Sequence, residues 1–282
     1  MTPLVETIRE IRAFVSKCRR EGKRVGFVPT MGAFHAGHLS LMSQARKECD
    51  AVVASIFVNP LQFSAGEDYD RYPRQLQKDL KMAESEKVDI VFSPTVAEIY
   101  PKGFSTHVIQ EKNGLPSKLC GQFRPDHFEG VMTVVSKLFN IVRPDVAYFG
   151  QKDYQQFLII RRLSIDLNMD VECKLMPTVR EEDGVAMSSR NIYLGPKQRK
   201  DALCLQTALR KAEDLVGAGE SSAARVMTEM KRVIGRVKGS RIDYIAVVNS
   251  ETLEPVKEIK GKTLIALAVR IGKGRLIDNV IV

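Results

Sequence analysis

Residues 51–58 read A-V-V-A-S-I-F-V, a nearly continuous apolar and β-branched run that stops at Asn59-Pro60. A strand with one wet face alternates polar and apolar residues. A strand apolar on both faces has to be covered on both, which is the condition of a central strand in a parallel sheet. Pro60 has no N–H to give to a ladder, so it ends the strand and throws Gln62 into the loop beyond the carboxyl end. Ligands of open parallel sheets bind at that edge.

Parallel strands need helical crossovers, and the flanking sequence supplies them. Leu4, Ile8, Ile11, Val15 and Cys18 recur at helical spacing with Gly22 as the stop, predicting a first helix of about four turns. A strand over 25–28 and a helix from Leu39 to Cys49 follow. Beyond the central run come a helix over 72–86 with Pro73 near its start and a strand over 89–92. Next are a buried helix from Phe128 that ends before Pro144, a strand over 145–149, a helix over 154–168 and a strand over 171–176. Residues 100–123 are rich in Gly, Pro and polar side chains and read as loop, with one strand at 106–109. After Pro177 the pattern changes. A polar loop over 178–191 with a turn at Asp183-Gly184 leads to a helix from Pro196, a second helix capped by Ser221 or Ser222, and strands over 242–248, 263–269 and 276–282. The expected architecture is an α/β Rossmann-like domain over 1–177, then a smaller α+β domain over 178–282.

The site should lie in residues 24–41, R-V-G-F-V-P-T-M-G-A-F-H-A-G-H-L-S-L, which read as strand, loop and helix. His35 and His38 fall three apart where the helix begins, so their side chains can share one side of its first turn. A helix N-terminus carries unpaired N–H groups and partial positive charge, and Gly32 and Gly37 allow close approach; this is a phosphate cradle. A metal is a poor fit, because no Cys or carboxylate stands at companion spacing. A second strand-turn-helix, Gly150-Gln151-Lys152-Asp153, sets a lysine at another strand's carboxyl end, where it can place a point charge on a phosphate.

Composition narrows the function. With 282 residues, 44% hydrophobic and 27% charged, the chain can build one large domain or two smaller ones. No apolar run approaches the roughly 20 residues that cross a bilayer, and acidic residues stand near the N-terminus, so a cytoplasmic protein with no membrane partner is expected. Five scattered cysteines without C-x-x-C argue against a disulfide framework and a zinc site. The formal charge of +9 suits nucleic acid or a small polyanion. There is no Trp and no interleaving of aromatic with basic residues, so no nucleic-acid partner is expected.

P-T-M-G-A-F-H-A-G-H from Pro29, S-I-F-V-N-P-L-Q-F from Ser55, R-P-D-H-F-E-G-V from Arg124, F-G-Q-K-D-Y-Q-Q from Phe149, M-S-S-R-N from Met187 and R-L-I-D-N from Arg275 together resemble the pantothenate synthetase family. The resemblance spans nearly the whole chain in order. It implies a nucleotide-binding domain of the H-x-G-H nucleotidyltransferase type, a small C-terminal domain folding over the site, and a homodimer. It also implies ATP-dependent condensation of pantoate with β-alanine, through a pantoyl-adenylate, with AMP and pyrophosphate released and Mg2+ bridging the phosphates. By the same resemblance His38, His35, Lys152 and Arg190 are the catalytic groups, cationic donors to phosphate, with His38 as proton donor. ATP would be held by Met31, Gly32, Ala33, Phe34, His35, Ala36, Gly37, His38, Gly150, Gln151, Lys152, Asp153, Val179, Met187, Ser188, Ser189 and Arg190, and pantoate by Gln62 and Gln156. Metal ligands are not assigned. Three positions depart from the family's pattern: Phe34 for Leu, Gln151 for Glu, and Asp126 for Gly. The last leaves Arg124 and His127 without a role.

Two other functions compete. Another H-x-G-H nucleotidyltransferase would use much the same first domain, but a phosphorylated acceptor would favour Arg or Lys where Gln62 and Gln156 stand. A fragment of a class I aminoacyl-tRNA synthetase is suggested by the basic charge and by M-S-S-R, and would show salt-sensitive RNA binding.

Overall fold

The computed structural model describes residues 2–64, 66–111 and 113–282. Six strands form one all-parallel sheet: β1 (Leu4–Val5), β2 (Val25–Thr30), β3 (Ala51–Ile56), β4 (Ile90–Phe92), β5 (Val146–Gly150) and β6 (Glu172–Met176), in the order β1-β4-β3-β2-β5-β6. The chain steps from β2 to β3 in one direction along the sheet, while β5 pairs with β2 on its other side. The crevice beyond the carboxyl ends of β2 and β5 is therefore the topological switch point.

Helices cover both faces, as the central run requires. Val25 and Phe27 of β2 point to one face, with α1 (Ile8–Arg20), α5 (His127–Val142) and α6 (Tyr154–Asp166); Val28 points to the other, with α2 (Ala36–Glu48) and α3 (Leu76–Ser85). Val52 and Val53 on β3 are both fully buried, one on each side. A short α4 (Val96–Ile99) follows β4. Helix α1 opens with a capping box, in which Thr7 and Glu10 satisfy each other's backbone N–H.

The second unit is a three-stranded antiparallel sheet, β7 (Ser240–Asn249), β8 (Thr263–Ile271) and β9 (Gly274–Ile281), packed against α7 (Pro196–Gly217) and α8 (Ala223–Gly235). Ser222 is the cap of α8, its side-chain oxygen accepting from the Arg225 N–H. Val248, Leu253, Leu264 and Ala266 belong to the same buried cluster as Phe27 and Phe139, so the two sheets share apolar contacts.

Two readings change, and one open position is accounted for. Leu4 fits the helical period of α1, yet it pairs with Val91 as an edge strand, and the helix starts only at Ile8. The predicted strand at 106–109 is absent: the Val108 N–H donates to the Thr133 side chain on α5 at 3.0 Å, so a side chain takes the place of a ladder partner. Asp126 precedes α5 with φ 63°, a left-handed position that glycine fills without strain and aspartate tolerates better than most residues.

Candidate active site

A cleft of about 230 Å³ opens at the switch point. Its walls come from the end of β2, the start of α2, the turns after β3 and β5, the buried face of α5, and residues 177–179 and 187–190. Of the residues singled out in the sequence, Met31, His35, Gly37, His38, Gln62, Gly150, Lys152, Asp153, Gln156, Val179, Met187, Ser188, Ser189 and Arg190 line it. They come from distant parts of the chain, and the fold brings them together.

His35 is the N-cap residue of α2 and makes no capping hydrogen bond with its side chain. Its ring instead folds back over Gly37, where an added Cβ would stand 2.9 Å from His35 Cε1. The His35 and His38 rings stack with centroids 4.0 Å apart, and the buried Phe34 lies tilted at 5.6 Å from the His38 ring. Burial, and then the charge of Lys152, push the His35 imidazole down to about 4. Burial, His35 and Lys152 together hold His38 well below the ordinary histidine range. Both rings are thus held neutral near pH 7. As neutral imidazoles they can donate N–H hydrogen bonds to a ligand without repelling Lys152. His35 Nδ1, His38 Nδ1 and the Thr178 hydroxyl are buried with no partner among the described residues, a set of orphaned polar atoms around one cleft that calls for a polar ligand.

Gly32, Ala33, Phe34, Ala36 and Gln151 do not line the cleft. Gly32 (φ 80°) and Ala33 (φ 52°) turn the chain so that the Ala33 and Phe34 N–H groups both donate to the buried Asp79 carboxylate, each at 2.8 Å. Those two amides are committed to Asp79 and are not free for phosphate. Burial raises the Asp79 carboxyl above its ordinary range against the pull of these two hydrogen bonds. The Gln151 side chain donates to Asn279 on β9 at 3.4 Å, and Asn279 Nδ2 donates to the carbonyls of Gln151 and Lys152 at 2.9 and 3.0 Å.

Gln62 is held at both ends of its amide. Its Nε2 reaches Met31 Sδ at 3.1 Å, and its Oε1 accepts from Asn59 Nδ2 at 3.1 Å, while Asn59 is fixed by the Tyr100 hydroxyl and the Gly130 carbonyl. Gly130 is required there, since a Cβ would lie 2.3 Å from the Leu61 carbonyl oxygen. Arg124 and His127 line the same cleft. Arg124 can only donate, so His127 Nε2 accepts from it at 3.0 Å and His127 Nδ1–H donates to the Gln62 carbonyl at 2.8 Å. Burial, then Arg124, lower His127 to about 4, in keeping with that neutral tautomer.

Arg190 does not wait unpaired for a ligand. Its Nε and one terminal nitrogen grip Asp68 at 2.8 and 2.9 Å, and its guanidinium lies over the Phe63 and Tyr72 rings at 5.9 and 5.7 Å. The Ser189 hydroxyl donates to the Ala33 carbonyl at 3.2 Å. Asp79, Asp68, Asn59 and Asn279 are the supporting residues that sequence reasoning missed; of these, Asn59 and Asn279 stand within stretches singled out for their motifs.

The Pantoate-beta-alanine ligase family model matches residues 3–281. The chain belongs to the pantoate-beta-alanine ligase family. It is 54% identical over 279 residues to the pantothenate synthetase of Heliobacterium modesticaldum, covering 99% of both chains. The pantothenate synthetase of Thermotoga petrophila is 53% identical over 278 residues, again with 99% of each chain covered. The crystal structure of pantothenate synthetase from Thermus thermophilus superposes with a TM-score of 0.94 at 46% identity, covering 99% of each chain. That of pantoate-beta-alanine ligase from Francisella tularensis, complexed with beta-gamma ATP and beta-alanine, does so with a TM-score of 0.82 at 34% identity, over 100% of this chain and 98% of the other. Among the described residues no helix is long and apolar enough to cross a membrane.

Proposed function

We propose that the chain condenses pantoate with β-alanine, driven by ATP, through a pantoyl-adenylate, releasing pyrophosphate and then AMP. The observation that carries this reading is the meeting of two kinds of group in one cleft. His35, His38, Lys152, Ser188 and Ser189 suit a polyphosphate, while Gln62 and Gln156 offer neutral hydrogen bonds to a substrate bearing hydroxyls and a carboxylate.

In the first step a pantoate carboxylate oxygen bonds to the α-phosphorus, and the bond to the bridging oxygen breaks with its electron pair leaving on pyrophosphate. Charge grows on the leaving group and on the α-phosphate, where the imidazole N–H groups and the Lys152 ammonium would receive it. In the second step the neutral amine of β-alanine attacks the acyl carbon, AMP departs and the amine loses a proton. Gly150 to Asp153 and the backbone at Val179 would bound the adenosine.

No group of three or more His, Cys, Asp or Glu that could hold a metal occurs among the described residues, and Asp153 is the one carboxylate among those on the cleft wall. This fits Mg2+ carried in on nucleotide phosphates, with Asp153 the side chain that would help to hold it. When bound, the ion would offset phosphate charge. Division into domains at Pro177, movement of residues 178–282 over the cleft, a cytoplasmic location and a homodimer belong to the same proposal.

The test is product analysis after incubation with ATP, Mg2+, pantoate and β-alanine. Pantothenate with AMP and pyrophosphate is expected. ADP and phosphate, or a stable dinucleotide-like product, would overturn the reading.

A further inference from the structure

A second cavity, of about 370 Å³, adjoins the first and shares Arg124, Lys152, Asp153, Ser188 and Arg190 with it. Its remaining walls include residues 66–71 on the large unit and, on the small one, β9 and the turn joining β8 to β9. None of the three histidines that line the first cleft reaches it, nor does Gln62 or Gln156.

Its charge is unbalanced. On its wall Arg124 is answered by Glu67, Arg190 by Asp68 and Lys152 by Asp153 at 3.6 Å, and Asp278 is taken by Arg180 beside the cavity. Asp243, almost wholly buried, faces two guanidiniums at once, Arg270 at 3.0 Å and Arg275 at 2.7 Å, so one carboxylate serves two cations. Arg71 and Lys273, also on the wall, have no ion pair among the described residues. A concave site with this surplus concentrates small anions.

We infer that this cavity receives inorganic pyrophosphate after adenylation; the inference rests on the adenylating reading above. The leaving group departs from the α-phosphorus carrying the electron pair of the broken bond, and if it stayed beside the mixed anhydride it would attack back and regenerate ATP. Lys152 and Arg190, each beside its own carboxylate, stand on the wall common to both cavities, so the anion passes paired cations toward the unpaired Arg71 and Lys273. Pyrophosphate then stands clear of the acyl-adenylate before β-alanine attacks.

Titration calorimetry of the full chain with pyrophosphate, and separately with β,γ-methylene ATP, tests this on the parent, Lys273→Gln and Arg71→Gln. Each substitution should weaken pyrophosphate about three- to fivefold, the scale of one partly exposed ion contact, and the double variant by about tenfold or more. The nucleotide analogue should bind within about twofold of the parent in all, which also reports that the variants are folded. Unchanged pyrophosphate binding would overturn the inference. So would equal weakening of both ligands, because the cations would then hold the triphosphate and no separate product site would exist. Product analysis of the parent separates the two readings: selective loss of pyrophosphate from a chain that makes no AMP would leave the anion site standing and remove adenylation as its source.

Discussion

The His35 and His38 rings lie face to face, 4.0 Å between centroids, and neither Nδ1 has a partner among the described residues. Burial above all holds both rings neutral, so protonation works against the fold. The unfolded chain takes up these protons near pH 6.5, whereas folded His35, like buried His127, does so only near 4. Stability is therefore fully present above about pH 6.5 and falls as pH drops toward 4, by roughly 3 kcal/mol for each such histidine. Urea unfolding at pH 7 and pH 4.5 should show it, and His127→Gln should flatten the slope. A parent curve equally stable at both values would contradict the neutral pair.

His38→Ala removes the cleft-lining imidazole proposed to donate to phosphate. Single-turnover formation of the adenylate should slow by roughly a hundredfold to a thousandfold, about 3 kcal/mol. Thermal stability should change little by comparison. Adenylation within a few-fold of the parent would end the assignment.

Gln62 and Gln156 are expected to recognise pantoate and not ATP. Loss of a side chain that pairs with substrate hydroxyls leaves those groups unanswered, so Gln62→Ala or Gln156→Ala should raise the pantoate requirement about tenfold or more. Calorimetry should find nucleotide binding nearly intact, and an equal loss of both ligands would remove the division of labour.

Because Arg190 is already gripped by Asp68, residues 178–191 need not be loose before ligand arrives. Arg180 adds a second clamp, on Asp278, at 2.6 Å. Amide exchange in this segment should already be slowed in the ligand-free protein and should quicken in Asp68→Asn. Arg190→Lys should behave like Asp68→Asn, since an ammonium cannot reproduce the two-point grip. Fast exchange in the parent, unaffected by Asp68→Asn, would show that the clamp does not order the loop.

Asp79 accepts the Ala33 and Phe34 amides through separate oxygens, and an Asn at that position has one oxygen to offer. Asp79→Asn should destabilise the protein by about 1–3 kcal/mol, the cost of an unanswered buried N–H, and should weaken nucleotide binding as the loop before His35 loses its anchor. Denaturant titration and nucleotide binding on the same sample check both. A variant as stable as the parent would mean that the loop holds itself.

The sheet is legible in the sequence because burial on both faces leaves a mark on every residue of a strand, as in residues 51–58. Leu4 misleads because an apolar residue four before Ile8 fits a helix as well as an edge strand; only pairing with β4 decides between them. The histidines, Lys152 and Gln62 can be found because each stands just beyond a strand. Asp68 and Asp79 cannot. Each reads as an ordinary surface carboxylate, and their partners lie 122 and 45 or 46 residues away in sequence, so only the folded chain makes them part of the site. The neutrality of the histidines is hidden for the same reason, since it arises from burial and from Lys152 in the turn after another strand.

Asn279 stitches β9 to the carbonyls of Gln151 and Lys152, across 128 and 127 residues of sequence. Any shift of the small sheet therefore pulls on the turn that carries Lys152 on the cleft wall, as a lever pulls on its fulcrum. Opening the cleft and withdrawing Lys152 from it become one mechanical event, and a ligand that draws Lys152 inward draws the small sheet after it.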